Sequence, residues 1–248
     1  MKPAVGALVG FVLLLVAIAA FAPASLIDRR LAATSSGKLR MSEAAGTVWN
    51  GTGILTDATG SWRVPVGWSV SVPALAHETL GITLLPVGGA SPRGRIDFAT
   101  DAAALHDVVV ELPATVLASA LPAKGVIVLG GNLAFTASAF DWNGERGGGV
   151  LNVRWRDARL VAADTMADLG TVDVALEPQG NSLTGRIGNS GGDVRIDGTI
   201  TFAPAAISVD AQIAPSPVTP PPVVRALAAL GTPDSTGAVR IAWRGSVR

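Results

Sequence analysis

Apolar side chains follow two different patterns along this chain. From Ala4 to Ala22 every residue is uncharged and nearly all are apolar. At about 1.5 Å rise per residue, a helix over that run just spans a hydrocarbon core of about 30 Å. The run therefore predicts a single N-terminal transmembrane helix at residues 4–22. A short helix is expected next, from Ser25 to Leu31, with Ser25 as N-cap and with Leu26, Ile27, Arg30 and Leu31 on one interfacial face. Thr34-Ser35-Ser36-Gly37 reads as a loop.

From Lys38 onward the period is two, the mark of a strand with one buried face. Leu39 and Met41 alternate with Lys38, Arg40 and Ser42. A glycine-rich strand follows from Ala45 to Leu55, in which Trp49 shares a face with Gly51, Gly53 and Leu55. Val66, Trp68, Val70 and Val72 alternate with glycine and serine until Pro73, and Ala74 to Leu80 is read as a helical turn. Further strands are predicted at 95–100, 126–129 and 132–142, with Gly130-Gly131 permitting a bulge between the last two. Gly144 to Gly149 reads as a hairpin tip before the alternation of Leu151, Val153 and Trp155. Four strands follow at 172–176, 183–187, 194–202 and 207–213, and a last one at 238–247.

Two short helices interrupt the strands. One is expected at Leu112–Leu121, with an apolar stripe of Val116, Leu117, Ala120 and Leu121 before Pro122. The other is expected at Val223–Leu230, led in by three prolines and stopped by Gly231 and Pro233. Each precedes a glycine and a strand, so the two stretches echo each other as halves of like design. The fold class is mainly β: the N-terminal helix, then an antiparallel sheet curled into a half-pipe or open barrel, with two short helices.

The apolar N-terminal run has two readings. An uncleaved anchor fits its length. A cleaved signal peptide fits Lys2 as a basic start and Ala20-Phe21-Ala22 as a small-residue site, although Pro23 would then head the mature chain. Counting Lys2 and the α-amino group against Arg29 and Arg30 slightly favours a cytoplasmic main domain. The very short leading tail and the signal-like character of the segment favour export instead.

Composition removes most chemistry. The 248 residues carry 19 Lys and Arg against 19 Asp and Glu, so no charge excess calls for nucleic acid. There is no cysteine, which excludes disulfides, thiolate metal sites and cysteine nucleophiles. His77-Glu78 lacks the second histidine of a zinc helix, and His106 stands far from it. Asp97 with Asp101, and Asp157 with Asp164 and Asp168, have no fixed geometry and read as solvated carboxylates. Gly191-Gly192-Asp193 reads as a tight turn. No nucleophile elbow or phosphate loop is present. The expectation is a protein that is not an enzyme, with no cofactor, no metal and no catalytic residue.

Ala45-Gly46-Thr47-Val48-Trp49-Asn50-Gly51 resembles the Gly-Thr-(Val/Leu)-Trp-x-Gly signature of the type II secretion system protein N family. The order of features is similar across nearly the whole chain: an apolar N-terminus, the Trp signature, the Trp68–Leu75 stretch, a central Leu-Pro-Ala segment and a closing helix before the last strand. The resemblance implies an accessory protein of the secretion machinery, anchored in the inner membrane with a periplasmic β domain and with other secretion-system proteins as partners. It implies a cytoplasmic tail at 1–3, the membrane helix at 4–22, a juxtamembrane linker at 23–37 and the β domain at 38–248. Gly46, Thr47, Val48, Trp49 and Gly51 are the motif residues. Their implied role is structural (a turn, a buried indole and close strand packing), with recognition by Trp49 as the other reading. The competing function is a carrier that holds a lipid or another apolar ligand in a groove of the curled sheet.

Overall fold

The computed structural model describes residues 21–71, 79–89, 92–119, 127–162 and 165–246. The predicted membrane span falls outside these residues except for Phe21 and Ala22, which belong to no helix. Among the described residues no helix is long and apolar enough to cross a membrane. His77 and most of the helical turn predicted after Pro73 also lie outside them. The chain divides into two compact units, Met1–Pro92 and Arg93–Arg248.

The first unit is a helix on an antiparallel meander. Helix α1 (Ser25–Thr34) precedes strands β1 (Leu39–Gly46), β2 (Asn50–Asp57), β3 (Arg63–Ser71) and β4 (Leu80–Leu85), each pairing with the next. Trp62, Val64 and Trp68 are buried, and buried Thr56 donates its hydroxyl to the Trp62 carbonyl at 2.7 Å. The β2–β3 turn is closed by Asp57, which accepts from the Ser61 amide at 2.7 Å and from the Thr59 and Ser61 hydroxyls at 2.6 Å. Those hydroxyls, Ser61 first, hold its carboxyl down at about 2.

Ser25 is not the N-cap of α1. Ala24 holds that position with helical dihedrals and no side-chain cap, and Ser25 is the first helical residue. The start of the helix is fixed from outside it, because Ala24 is buried and gives its amide to Gly46. The expected interfacial face also divides. Ile27 and Leu31 are half-buried, whereas Leu26 and Arg30 are exposed.

The second unit is an open antiparallel meander of β5 (Arg93–Phe98), β6 (Ala103–Pro113), β7 (Ile127–Trp142), β9 (Leu151–Ala162), β10 (Thr165–Gln179), β11 (Ser182–Ser190), β12 (Val194–Ala203), β13 (Ala206–Pro215) and β14 (Val239–Ser246), in that order. The short β8 (Gly147–Gly149) hangs on the end of β7. The expected bulge is present: the β7–β9 register shifts between Gly130 and Asn132, and Trp155 donates its indole N–H to the Gly130 carbonyl at 2.8 Å.

The register stacks like with like. Phe135 faces Val153, Val153 faces Val174, and Val174 faces Ile187. Leu151, Leu176 and Gly185 are matched in the same way, then Ile200, Val209 and Trp243. Alternation puts Asn152, Arg154, Asp173 and Ala175 on the opposite face. One side of the sheet is thus a broad apolar surface, and two pieces of helix cover parts of it.

Helix α2 (Pro221–Leu230) is the first cover. Pro221 and Pro222 stand in its opening turn, where their missing amides cost no helical bond. Val223 and Leu227, four residues apart on one face, pack with Val194, Val239, Ile196 and Ile213. The second cover is not the α-helix predicted at Leu112–Leu121. Leu112 and Pro113 finish β6, paired with Leu133 and Asn132, and only a 3-10 turn follows at Ala114–Ser119. The ladder to β7 holds the first two residues extended, and the last two, Ala120 and Leu121, lie outside the described residues. Its apolar stripe still does the expected packing, with Ala114, Val116 and Leu117 against Leu129, Leu133 and Trp155. The echo between the two stretches is one of position, since each bridges neighbouring strands with an apolar cover. The repeat of an α-helix does not hold.

Leu227→Ala should destabilise the second unit by about 2–5 kcal/mol, the usual cost of emptying a packed leucine site. Urea unfolding followed by tryptophan fluorescence measures it.

Candidate functional site

The Gly46–Gly51 motif forms the turn between β1 and β2, and it holds the chain that leaves the apolar N-terminal segment. The Thr47 amide donates to the Asn50 carbonyl at 2.8 Å. The Thr47 hydroxyl accepts from the amides of Trp49 at 3.3 Å and Asn50 at 3.2 Å, so one side chain closes the turn. The outer edge of the turn binds Ala22–Ala24 as a short backbone ladder. Val48 donates to the Ala22 carbonyl at 2.9 Å, Ala24 donates to the Gly46 carbonyl at 3.1 Å, and Pro23 bridges Thr47.

The glycines are required by space. Gly46 has φ +91°, and a Cβ there would sit 2.5 Å from the Asn50 carbonyl oxygen. A Cβ on Gly51 would sit 2.5 Å from the Ala45 carbonyl oxygen and 2.7 Å from Cζ2 of Trp68. The indole over Gly51 is therefore that of Trp68. This ring is 5% exposed, and its N–H is shared between the carbonyls of Thr47 at 3.3 Å and Val48 at 3.2 Å. Trp49 is half-buried. It lies in the turn, outside β1 and β2, so the period of two that would set it on one face with Gly51 does not run through it. Its carbonyl accepts from the Val70 amide at 2.6 Å, which ties the turn to β3.

A second anchor joins helix α1 to the start of β1. Asp28 on α1 accepts from Arg40 Nε at 2.9 Å, Arg40 Nη2 at 2.8 Å and the Met41 amide at 2.8 Å. The Arg40 guanidinium, and then the Met41 amide, hold this carboxyl at about 2 against an ordinary 3.8. The segment at 23–37, read from sequence as a linker, thus contains a helix docked along β1.

Residues 37–242 match the family model for type II secretion system (T2SS), protein N. The chain belongs to that family. No curated protein and no solved structure matches it. Nothing beyond the family therefore enters from comparison.

The other sequence candidates are scattered in this family member. His106 lies 3.5 Å from Asp97, which also accepts from Arg95, on the exposed side of β5 and β6. Asp101 lies outside that contact. Asp168 and Asp193 organise a turn: the Asp168 amide donates to the Asp193 carboxylate at 2.9 Å, and the Asp193 amide donates to the Asp168 carbonyl at 2.7 Å. Gly191 and Gly192 sit in that turn with φ of +74° and +79°. Asp157 is on β9, and Asp164 is outside the described residues. Among the described residues no three His, Asp or Glu side chains converge as metal ligands.

The two faces of the second unit differ in what they offer. The polar face has two hollows of about 650 and 600 Å³. They are lined by charges that pair with each other, such as Arg154 with Asp173 at 2.6 Å and Arg240 with Asp210 at 2.5 Å. The apolar face has a hollow of about 410 Å³, walled by Leu117, Phe135, Val153, Val174, Leu183 and Phe202 among others, with no polar surface at all. The strand alternation located these residues. That the 3-10 turn meets this wall at Leu117 had no signal in the sequence.

Gly46→Ala should cost about 3 kcal/mol, combining an unfavourable φ with a backbone collision. Gly60→Ala, at φ +74° with open space around it, should cost only about 1 kcal/mol. Chemical denaturation of the two variants reads the difference. The Asp28 contact also gives a pH dependence. Because its folded value lies below the unfolded one, its contribution is complete above about pH 4 and drains away as pH falls toward 2. Amide exchange at Met41 should accelerate over that window, and Asp28→Ala should show the fast rate already at neutral pH.

Proposed function

We propose that this protein is a non-enzymatic accessory component of the type II secretion machinery, tethered to the inner membrane by residues 4–22 with its β-sheet units in the periplasm. Residues 1–3 are then the cytoplasmic tail, and 38–248 carry the contacts with other secretion-system proteins. Family membership over residues 37–242 supports the secretion role. The uncharged run Ala4–Ala22 supports the tether.

The observation that carries the tethered reading is the docking of Ala22–Ala24 on the Gly46–Asn50 turn. A protein that merely trails an apolar leader has no need to grip the residue at its end. A tethered one gains a fixed relation between anchor and first β unit, because no free residue lies between Ala22 and the hydrogen bond to Val48. In this reading the turn residues Gly46, Thr47, Val48 and Gly51 act as a clamp, and Trp49 ties the clamp to β3. Partner strands have a place to add at the outer edge of β14, the last strand of its meander.

A reporter active only in the periplasm, fused after Arg248, should be active, and the fusion should sediment with membranes and resist carbonate extraction. Loss of the chain should lower export of a secreted exoprotein while leaving its periplasmic pool filled. A cytoplasmic reporter signal, or unchanged export, would overturn the proposal.

A further inference from the structure

The bare stretch of the apolar face between the two helical covers has the form of a ligand site. The geometry points to the hollow between β7 and β12 as a binding site for one acyl chain of a membrane phospholipid. Three observations carry it. First, the wall is made only of carbon side chains. Phe135, Val153, Val174, Leu183 and Phe202 are half-buried; the 3-10 turn reaches Phe135 and Val153 at the rim, whereas among the described residues Val174, Leu183 and Phe202 belong to neither packed cluster.

Second, the wall has no hydrogen-bonding capacity. The backbone behind it is used up in the sheet ladders from β7 to β12. An extended peptide lying there would leave its own amides and carbonyls without partners, and a helix, about 10–12 Å across with a pitch of about 5.4 Å, would take up about 400–600 Å³ in a single turn. A hydrocarbon chain has no such requirement. The lining also contains no Lys or Arg to meet the carboxylate of a free fatty acid. The occupant therefore carries its polar group outside the hollow, as a phospholipid does.

Third, the size fits one chain. The hollow holds about 410 Å³. At about 30 Å³ for a water-sized group, that admits about fourteen methylene-sized groups. Four strand spacings of about 4.8 Å make it about 19 Å across, against about 15 Å for one leaflet's chains, half of a 30 Å core. A second copy of the protein would need about 800 Å² of mutual surface to dock stably, and the hollow's wall is far smaller.

This inference rests on the sheet geometry and stands apart from the secretion role. Its test uses the full chain reconstituted in vesicles of phosphatidylethanolamine and phosphatidylglycerol with a trace of a phospholipid bearing a diazirine near the end of one acyl chain. After irradiation, adducts are mapped by mass spectrometry. Peptides containing Val153, Val174 and Phe202 should be labelled. Val174→Asp and Leu183→Asp should each reduce that labelling about tenfold, since a charge beside the chain must be desolvated. Val174→Trp, which fills the hollow without a charge, should do the same. Ala175→Trp, on the opposite face, should leave it unchanged.

Labelling within residues 4–22 reports bilayer insertion separately. Labelled 4–22 with an unlabelled groove would overturn the acyl site. A labelled groove with unlabelled 4–22 would overturn the tether and leave the acyl site standing. A photoreactive free fatty acid that labels the groove when the phospholipid does not would overturn the phospholipid as source. A benzophenone side chain at position 174 that joins two protein copies would overturn the site altogether.

Discussion

The constraint on which the second unit depends is an imbalance between apolar sheet and available cover. Alternation over nine paired strands, interrupted by register shifts between β5 and β6, β7 and β9, and β9 and β10, sorts the side chains of Arg93–Arg248 onto two faces, and the hydrogen-bonded register keeps the apolar ones in rows. Such a face normally meets a second layer. Among the described residues this unit supplies one ten-residue helix and one six-residue 3-10 turn. Each builds a small core beneath it, one around Val223 and Leu227, the other around Ala114 and Leu129. The rows between them stay half-open. The opposite face has no such debt, because its charges are cross-strand neighbours of opposite sign and remain in water.

The first unit solves a different problem with the same materials. Its strands are fewer, and its core is built from large side chains, Trp62 and Trp68, with glycines where rings and backbone must come close. The turn at Gly46–Asn50 then uses its outward backbone groups to hold Ala22–Ala24. Asp28 repeats the device with charge, joining helix α1 to the start of β1 through Arg40 and Met41. Side-chain chemistry in this unit is spent on fixing where the chain enters it. That agrees with a family whose members belong to an assembly.

Legibility varied with how local the cause was. The strands from Leu151 to Ile213 were readable where their alternation runs on, and β10 was read short, at 172–176, because its register with β9 shifts on both sides of Gly170. β6 was missed because a bulge at Asp107, with φ +48°, shifts its register against β5 between Arg93 and Arg95. β4 was missed although Leu80, Ile82 and Leu84 alternate with Gly81 and Thr83, because the run is short and its first residue falls in the helical turn expected at Ala74 to Leu80. The motif turn was readable as a motif, yet its partner was not. The assignment of the buried indole went to Trp49, whereas the ring that fills the space over Gly51 comes from Trp68, paired across β2 and β3.

By itself the sequence determined the β class, the helix after three prolines, the turn at Gly191–Gly192 and the family, because each of these depends on residues near one another in the chain. Only the tertiary structure decided which parts of the apolar face are covered, which indole packs on the motif, and that the residues after the apolar run are clamped to the β1–β2 turn. Those outcomes depend on register and on the reach of connecting segments. Both are set by pairings between residues far apart in sequence, which no local period records.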